Sequence, residues 1–402
     1  MSKPQKRRLP FPEYVALVAM LSSIVAMATD MMLPALGAIG HAFNVAHEND
    51  VHYIVTVFFF GMASGQLIVG PLSDTFGRKP VILAGYVIFV IGCVLSIIAS
   101  SWTMMLCARF LQGVGASAPR VVALALVRDE YEGRKMAQIL SITSAIFILV
   151  PMIAPALGQA LLYFGDWSTS FWGLIALSIV VCIWFFLRQP ETLTIEDRRP
   201  FRVGVLATGL KEILSTRIAV GYTLTVALIY GAFIGYLGAA QQIFAEVFDQ
   251  AALFVLYFAL TSAAIGVASL VNASLVMRFG MRRLTGLALI GQTTLSLGFC
   301  VVLLGYDGVP PLYLFLTWQM CSFFCIGLTF GNLNALALEP LGHIAGLGAA
   351  FVGSLSIILS LPLAALAGAL FDGTVMPLVT SFGGLGFLAC LLMLWTGRAQ
   401  PD

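Results

Sequence analysis

The chain has 402 residues, of which 60% are hydrophobic and 10% charged, with a formal net charge of +2. Soluble domains carry roughly a quarter charged residues, so this composition excludes a water-soluble globular protein. It also gives no basic surplus for nucleic acid. Apolar stretches of about 20 residues can cross a bilayer, and the sequence holds twelve such stretches.

The first predicted span, 13–37, contains Asp30, the only acid well inside a span. Ser23, Ala26, Met27 and Pro34 share its helical face, and Pro34 removes a backbone donor, which loosens the helix there. The span is too long for the apolar core of a cleavable signal peptide, and none is expected. His41, His47 and His52 cluster around the following loop, where hydrated positions are expected. Span two, 52–72, runs into Gly70-Pro-Leu-Ser-Asp-Thr-Phe-Gly-Arg-Lys-Pro80. There Gly70 and Gly77 permit close approach and a tight turn. Asp74 is placed to accept hydrogen bonds from a helix N-terminus, and Arg78 and Lys79 sit at headgroup level.

Span three covers 80–99, and span four, 103–127, contains Arg109 and Arg120. Eleven residues make almost three helical turns, so the two share a face about 16 Å apart. Gln112, Gly113 and Ala116 lie on the same stripe. A mid-membrane Arg costs about 2.5–3.5 kcal/mol on insertion scales and normally faces a cavity or a partner. The stripe predicts a wet or charged cavity, with Arg120 either lining it or snorkelling to the near membrane face. Asp30 is the expected partner of Arg109. An acid beside a cation, in surroundings that alternate between wet and closed, is suited to take up and release a proton. Asp30 is therefore expected to couple transport to protons, tuned by Arg109.

Span five, 136–161, concentrates Pro151, Pro155 and Gly158, which predicts a kink allowing close helix packing. Span six, 170–187, is followed by a charged stretch, 188–217, in which 203–214 predicts a short amphipathic helix on the membrane surface. The remaining spans are 218–240, 252–277, 284–304, 312–336, 345–370 and 374–396. They hold no charge, and Tyr230 and Tyr236 stand out as polar anchors of a mostly apolar pocket. Cys321 and Cys325 are four apart without a His or acid nearby. Packing rather than metal binding is expected of them, and no cofactor is called for.

Of the 21 Lys and Arg residues, 19 fall in loops on one side of this arrangement and two inside span four. Cytoplasmic loops accumulate such residues, so both termini are expected in the cytoplasm. The spans divide into a six-helix bundle at 1–187, a linker at 188–217 and a second six-helix bundle at 218–402. A weak repeat supports the division: Ala273-Ser-Leu-Val-Met-Arg-Phe-Gly-Met-Arg-Arg283 occupies the place in the second half that Gly70–Pro80 occupies in the first. Paired halves suit a transporter that rocks about a midplane site.

Gly70–Pro80 resembles the loop signature of the major facilitator superfamily. Arg109-Phe-Leu-Gln-Gly113 resembles its fourth-span motif, and Pro151-Met-Ile-Ala-Pro-Ala-Leu-Gly158 the antiporter motif of its drug-exporting members. Thr29-Asp-Met-Met-Leu-Pro-Ala-Leu36, Gly65–Asp74 and the Leu-Val-Arg-Asp-Glu-Tyr run at 126–131 look most like the bicyclomycin and chloramphenicol resistance branch of drug:proton antiporters. The span-five motif departs from the family pattern at Ala154-Pro155, and Arg120 is a further departure. The resemblance implies an all-α fold of twelve transmembrane helices in two pseudo-symmetric bundles. It implies a latch between the halves at Gly70, Asp74, Gly77, Arg78 and Lys79, and an antiporter hinge at Pro151, Pro155 and Gly158.

No nucleotide loop, metal cluster or catalytic triad is present in the sequence. The expected function is therefore proton-coupled export of small amphipathic compounds by a monomer in a bacterial inner membrane, its partners being substrate, protons and lipid. A proton-coupled importer of a nutrient or metallophore and an uncoupled facilitator are the alternatives. The expected cavity residues are Asp30, Arg109, Gln112, Arg120, Tyr230 and Tyr236. One acid against two Arg predicts neutral, zwitterionic or anionic substrates over lipophilic cations.

Overall fold

A computed structural model of the chain describes residues 9–198, 200–201 and 203–397. Lys3, Lys6, Arg7, Arg8, Arg199, Arg202 and Arg398 of the charge pattern lie outside the described residues. The described residues are helical and contain no strand.

Span one is two helices, α1 (Phe11–Asp30) and α2 (Leu36–Ala42), joined by a 3₁₀ turn at Leu33–Ala35. Pro34 has no N–H to give the Asp30 carbonyl, so the α-helical ladder stops there. Then follow α3 (Tyr53–Phe76), α4 (Arg78–Ile97), α5 (Trp102–Glu130), α6 (Gly133–Leu162) and α7 (Ser168–Arg188). The connecting helix α8 is Val203–Ser215. The second half comprises α9 (Arg217–Gln242), α10 (Phe254–Phe279), α11 (Met281–Leu304), α12 (Leu312–Leu338), α13 (Ala345–Ala369) and α14 (Met376–Gly397). Among the described residues, eleven helical runs are long and apolar enough to cross a membrane. The 30-residue α6 supplies the twelfth.

The sequence repeat has a backbone counterpart. Gly77 ends α3 and precedes α4 with φ 103° and ψ 158°, while Gly280 ends α10 and precedes α11 with φ 76° and ψ 154°. Side-chain-bearing residues rarely adopt positive φ, so the shared Phe-Gly pair makes the same sharp turn in both halves.

Within the first half, α5 packs between α3 and α4; within the second, α9 packs between α13 and α14. The halves meet where α3 lies on α13 and α6 on α10. Ser354 of α13 donates across this boundary to the Ala63 carbonyl of α3 at 2.6 Å. The connecting helix is present, and one of its faces lies on the second half. Leu206, Leu210 and Ile213, on one face, pack with Leu347 and Phe351 of α13. Glu212 pairs with His343 at 2.5 Å.

Candidate functional site

A cavity of about 1450 Å³ opens between the halves on the face that carries the basic loops. Asp74, Arg78, Asp129, Asp197 and His343 ring its mouth. Val18, Ser22, Gln66, Arg120, Phe147 and Ala350 line it further in. The opposite face is shut. Asn49 donates to the Phe371 carbonyl at 2.9 Å and to that of Ala369 at 3.4 Å, and Gln242 donates to Asn49 at 3.3 Å. His52 is buried at 4% exposure, which corrects the expectation of a hydrated loop position. Its side chain is wedged between two glycines of the other half. A Cβ on Gly238 would come within 2.7 Å of it, and one on Gly368 within 2.8 Å. The sequence signal for this wedge was a His beside an apolar run, with two glycines far away in the chain.

Asp30 stands at the end of α1, 4% exposed and outside the cavity lining. Its carboxylate accepts a hydrogen bond from Thr29 at 3.1 Å. Arg109, fully buried, donates to the Ile54 carbonyl at 3.3 Å, to the Ala28 carbonyl at 3.3 Å and to Gln112, and lies over the Phe58 ring at 4.6 Å. Gln112 in turn donates to the Cys93 sulfur at 3.0 Å. Among the described residues no ion pair joins Asp30 to Arg109 within 4.0 Å. The expected direct pairing is thus replaced in this conformation by contact through the α1 backbone, two residues before the acid. Arg109 and Gln112 do not reach the cavity. Their stripe is consumed by helix packing: a Cβ on neighbouring Gly113 would fall 2.0 Å from the Phe58 carbonyl oxygen of α3.

Arg120 does line the cavity, its guanidinium 4.8 Å from the centre of the Phe147 ring of α6.

Gly158 meets Asp30's helix break. A Cβ there would lie 1.8 Å from the Met31 carbonyl oxygen, so only glycine lets α6 approach α1 this closely. Pro151 and Pro155 lie earlier in the same helix.

The Gly70–Pro80 loop is tied down to the first half and to the linker. Arg78 bonds Asp74 at 2.5 Å and Asp129 at 3.0 Å. Glu191 accepts from the backbone N–H of Arg78 at 2.9 Å and of Lys79 at 3.0 Å, capping α4 with a negative charge. Lys79 donates to the Phe186 carbonyl at 2.7 Å. Asp129 and Glu191 are partners that sequence reasoning missed. Gly70, where an added Cβ would meet nothing within 4 Å, and Asp74 line the cavity together with Gly342 and His343 of the other half.

Residues 18–360 match the family model of the Major Facilitator Superfamily. The chain belongs to that superfamily. It is 29% identical over 380 residues to the MFS-type transporter YdgK of Bacillus subtilis, covering 92% of this chain and 93% of that one. It is 25% identical over 395 residues to the bicyclomycin resistance protein homolog of Haemophilus influenzae, covering 94% of each. With the multidrug resistance protein MdtL of Salmonella paratyphi C it shares 29% identity over 328 residues, 81% of this chain and 80% of that one. The names of the latter two match the resistance branch that the motifs resemble. In fold, the chain superposes on the xylose transporter XylE from E. coli, in a partially occluded inward open conformation, with a TM-score of 0.76. Identity there is 13%, with coverage of 97% and 98%. The protein is thus a multi-pass membrane transporter of small molecules, not an enzyme.

The second half of this superfamily member contains an aromatic bank. Tyr230 packs on Phe330 at 4.6 Å, Phe330 on Phe233 at 5.8 Å, Phe233 on Phe323 at 5.7 Å, and Phe323 on Tyr236 at 5.1 Å. Tyr236 is fully buried and outside the cavity lining. Its hydroxyl reaches toward Thr261 and Gln319 without a hydrogen bond of normal geometry. The Gln319 amide is likewise buried and unpaired. Of the six expected cavity residues, this conformation therefore exposes only Arg120.

Proposed function

We propose that the protein is a drug:proton antiporter. It exports small amphipathic compounds by alternating access between bundles at residues 1–187 and 218–402, joined by the linker at 188–217. The face carrying the basic loops is the cytoplasmic side of a bacterial inner membrane, and the conformation described is inward-facing. The protein works as a monomer.

One observation carries this reading: the buried Asp30 stands at a broken helix end outside the cavity lining, and the next residue, Met31, has its backbone against Gly158 of the proline-rich α6. A carboxylate held inside protein with one hydroxyl donor and no cation is poorly solvated, whereas the same group beside water is not. Opening the opposite face would hydrate Asp30 and closing it would enclose it again. A group that alternates in this way carries a proton through the cycle. Arg109 fixes the last turn of α1 through the Ala28 carbonyl and so holds the acid in place. The Gly70–Lys79 loop is the latch. Its ties to Asp129 of the first half and Glu191 of the linker hold Arg78 and Lys79, and Asp74, paired with Arg78 in this conformation, lines the gap and would exchange partners with the other half when the cavity closes.

Purified protein should release protons when a transported compound is added, and Asp30→Asn should abolish both this release and transport driven by a pH gradient. Undiminished pH-driven transport by Asp30→Asn overturns the assignment. Cells lacking the protein should accumulate its substrate. Reduced uptake instead would establish the importing alternative.

A further inference from the structure

We infer that the inward-facing cavity takes an amphipathic organic anion, whose acid group is held by Arg120 and whose apolar body lies along the cavity wall. The inference rests on the transport reading above and names its substrate class.

The geometry is specific to Arg120. Ten residues separate it from Glu130, where α5 ends on the basic face. At 1.5 Å per residue this is about 15 Å of helix, which places Arg120 well inside the cavity rather than at its mouth. The guanidinium is held over the Phe147 ring, a contact that positions a cation without neutralising it. Among the described residues it makes no ion pair and no hydrogen bond.

The acids that share the cavity are at its mouth and already engaged. Asp74 and Asp129 pair with Arg78, Asp129 also accepts from Thr192 at 2.8 Å, and Asp197 accepts from Thr194 at 2.6 Å. Asp129 is nine residues further along the helix, about 13 Å away. The deep cavity thus contains one uncompensated positive charge, with five donors in a planar fork suited to carboxylate, sulfonate or phosphate. The same cavity is lined by Val18, Val121, Leu124 and Phe147, with Ser22 and Gln66 as neutral polar residues. Tyr230, from the other half, lies within electrostatic reach of Arg120 and stacks on Phe330. A flat apolar body attached to an acid group matches such surroundings. A lipophilic cation would meet Arg120 unshielded.

The test uses full-length protein in lipid nanodiscs, with empty nanodiscs as the blank, titrated calorimetrically without any gradient. The probes are a naphthalene sulfonate, the matching naphthalene methanol and the matching naphthyl trimethylammonium ion. Wild-type protein should bind the sulfonate at least about tenfold tighter than the alcohol, as expected of a charge-assisted hydrogen bond, and the cation weakest. Arg120→Gln should bring the sulfonate down to the level of the alcohol, and Arg120→Lys should fall between. Tightest binding of the cation, binding of none of the three, or an unaltered order in folded Arg120→Gln overturns the inference. The wild-type order is informative even if a variant fails to fold. Because it is read at equilibrium, it stands or falls separately from proton release and Asp30→Asn.

Discussion

The contact between Gly158 and the Met31 carbonyl oxygen makes Gly158→Ala the sharpest perturbation of the proposed coupling. The added Cβ would start 1.8 Å from that oxygen, whereas carbon and carbonyl oxygen settle at about 3.3 Å or more. The α1 break must therefore retreat from α6 by about 1.5 Å, and Asp30, the residue before Met31, moves with it. The obstacle is backbone rather than a flexible side-chain end, so no rotamer change relieves it. Overpacking of this kind costs about 1–3 kcal/mol. Expressed in the conformation that needs the contact, this is about 5–150-fold in population. The assay is uptake of the naphthalene sulfonate into proteoliposomes under an imposed pH gradient, alongside the melting temperature. Gly298→Ala is the control: Gly298 sits within α11, and a Cβ there meets nothing within 4 Å. Gly158→Ala should lose transport within that range and melt earlier, while Gly298→Ala should stay near wild type. Wild-type transport and melting for Gly158→Ala would refute the claim that the α6 motif seats the acid.

Two further predictions concern the faces of the protein. Gly238→Ala and Gly368→Ala would each crowd His52 and should drive the closed face apart; a single cysteine at Gln66, in a background lacking the native cysteines, should then label about tenfold more slowly from the basic side, and unchanged labelling would count against the wedge. Glu191→Gln keeps the shape of the α4 cap but removes its charge, and should lower the melting temperature by weakening an interaction of about 1 kcal/mol.

The span pattern was legible because lipid exposure writes itself into long apolar runs and basic loops. Predicted and observed helix ends agree closely, as at 312–336 against Leu312–Leu338. The Phe-Gly repeat was legible because positive φ at Gly77 and Gly280 restricts the residue type. Asp30 and Arg109 could be recognised as costly buried charges, but not their separation: a guanidinium satisfied by backbone carbonyls, Gln112 and a ring leaves no trace in sequence spacing. The same limit hid Asp129 and Glu191, whose partners are 51 and 113 residues away. His52 was misplaced because its burial comes from glycines of the other half, contacts that local composition does not encode. The 203–214 helix was recognised by its apolar face, and its docking on α13 was missed because protein and lipid satisfy that face equally well.

Taken together, the contacts divide unequally between the two ends of the molecule, and that asymmetry suits a two-state device. On the closed face, the halves interlock through side chains set against glycine and backbone: His52 between Gly238 and Gly368, and Asn49 on the Ala369 and Phe371 carbonyls. Such contacts are lost within a small displacement, because neither carbonyl nor glycine can follow a departing partner. On the basic face, the charged ties described for the Gly70–Pro80 loop run to the first half and the linker, and Asp74 lines the open cavity with Gly342 and His343 of the other half. On the proposed cycle, rocking the halves would exchange one set for the other, and Asp30 lies beside the α1 break. A proton on Asp30 and an anion on Arg120 would then act on the same equilibrium from opposite sides of the enclosed region. The coupling between them would require no direct contact between their charges, only that each binds one arrangement of the halves better than the other.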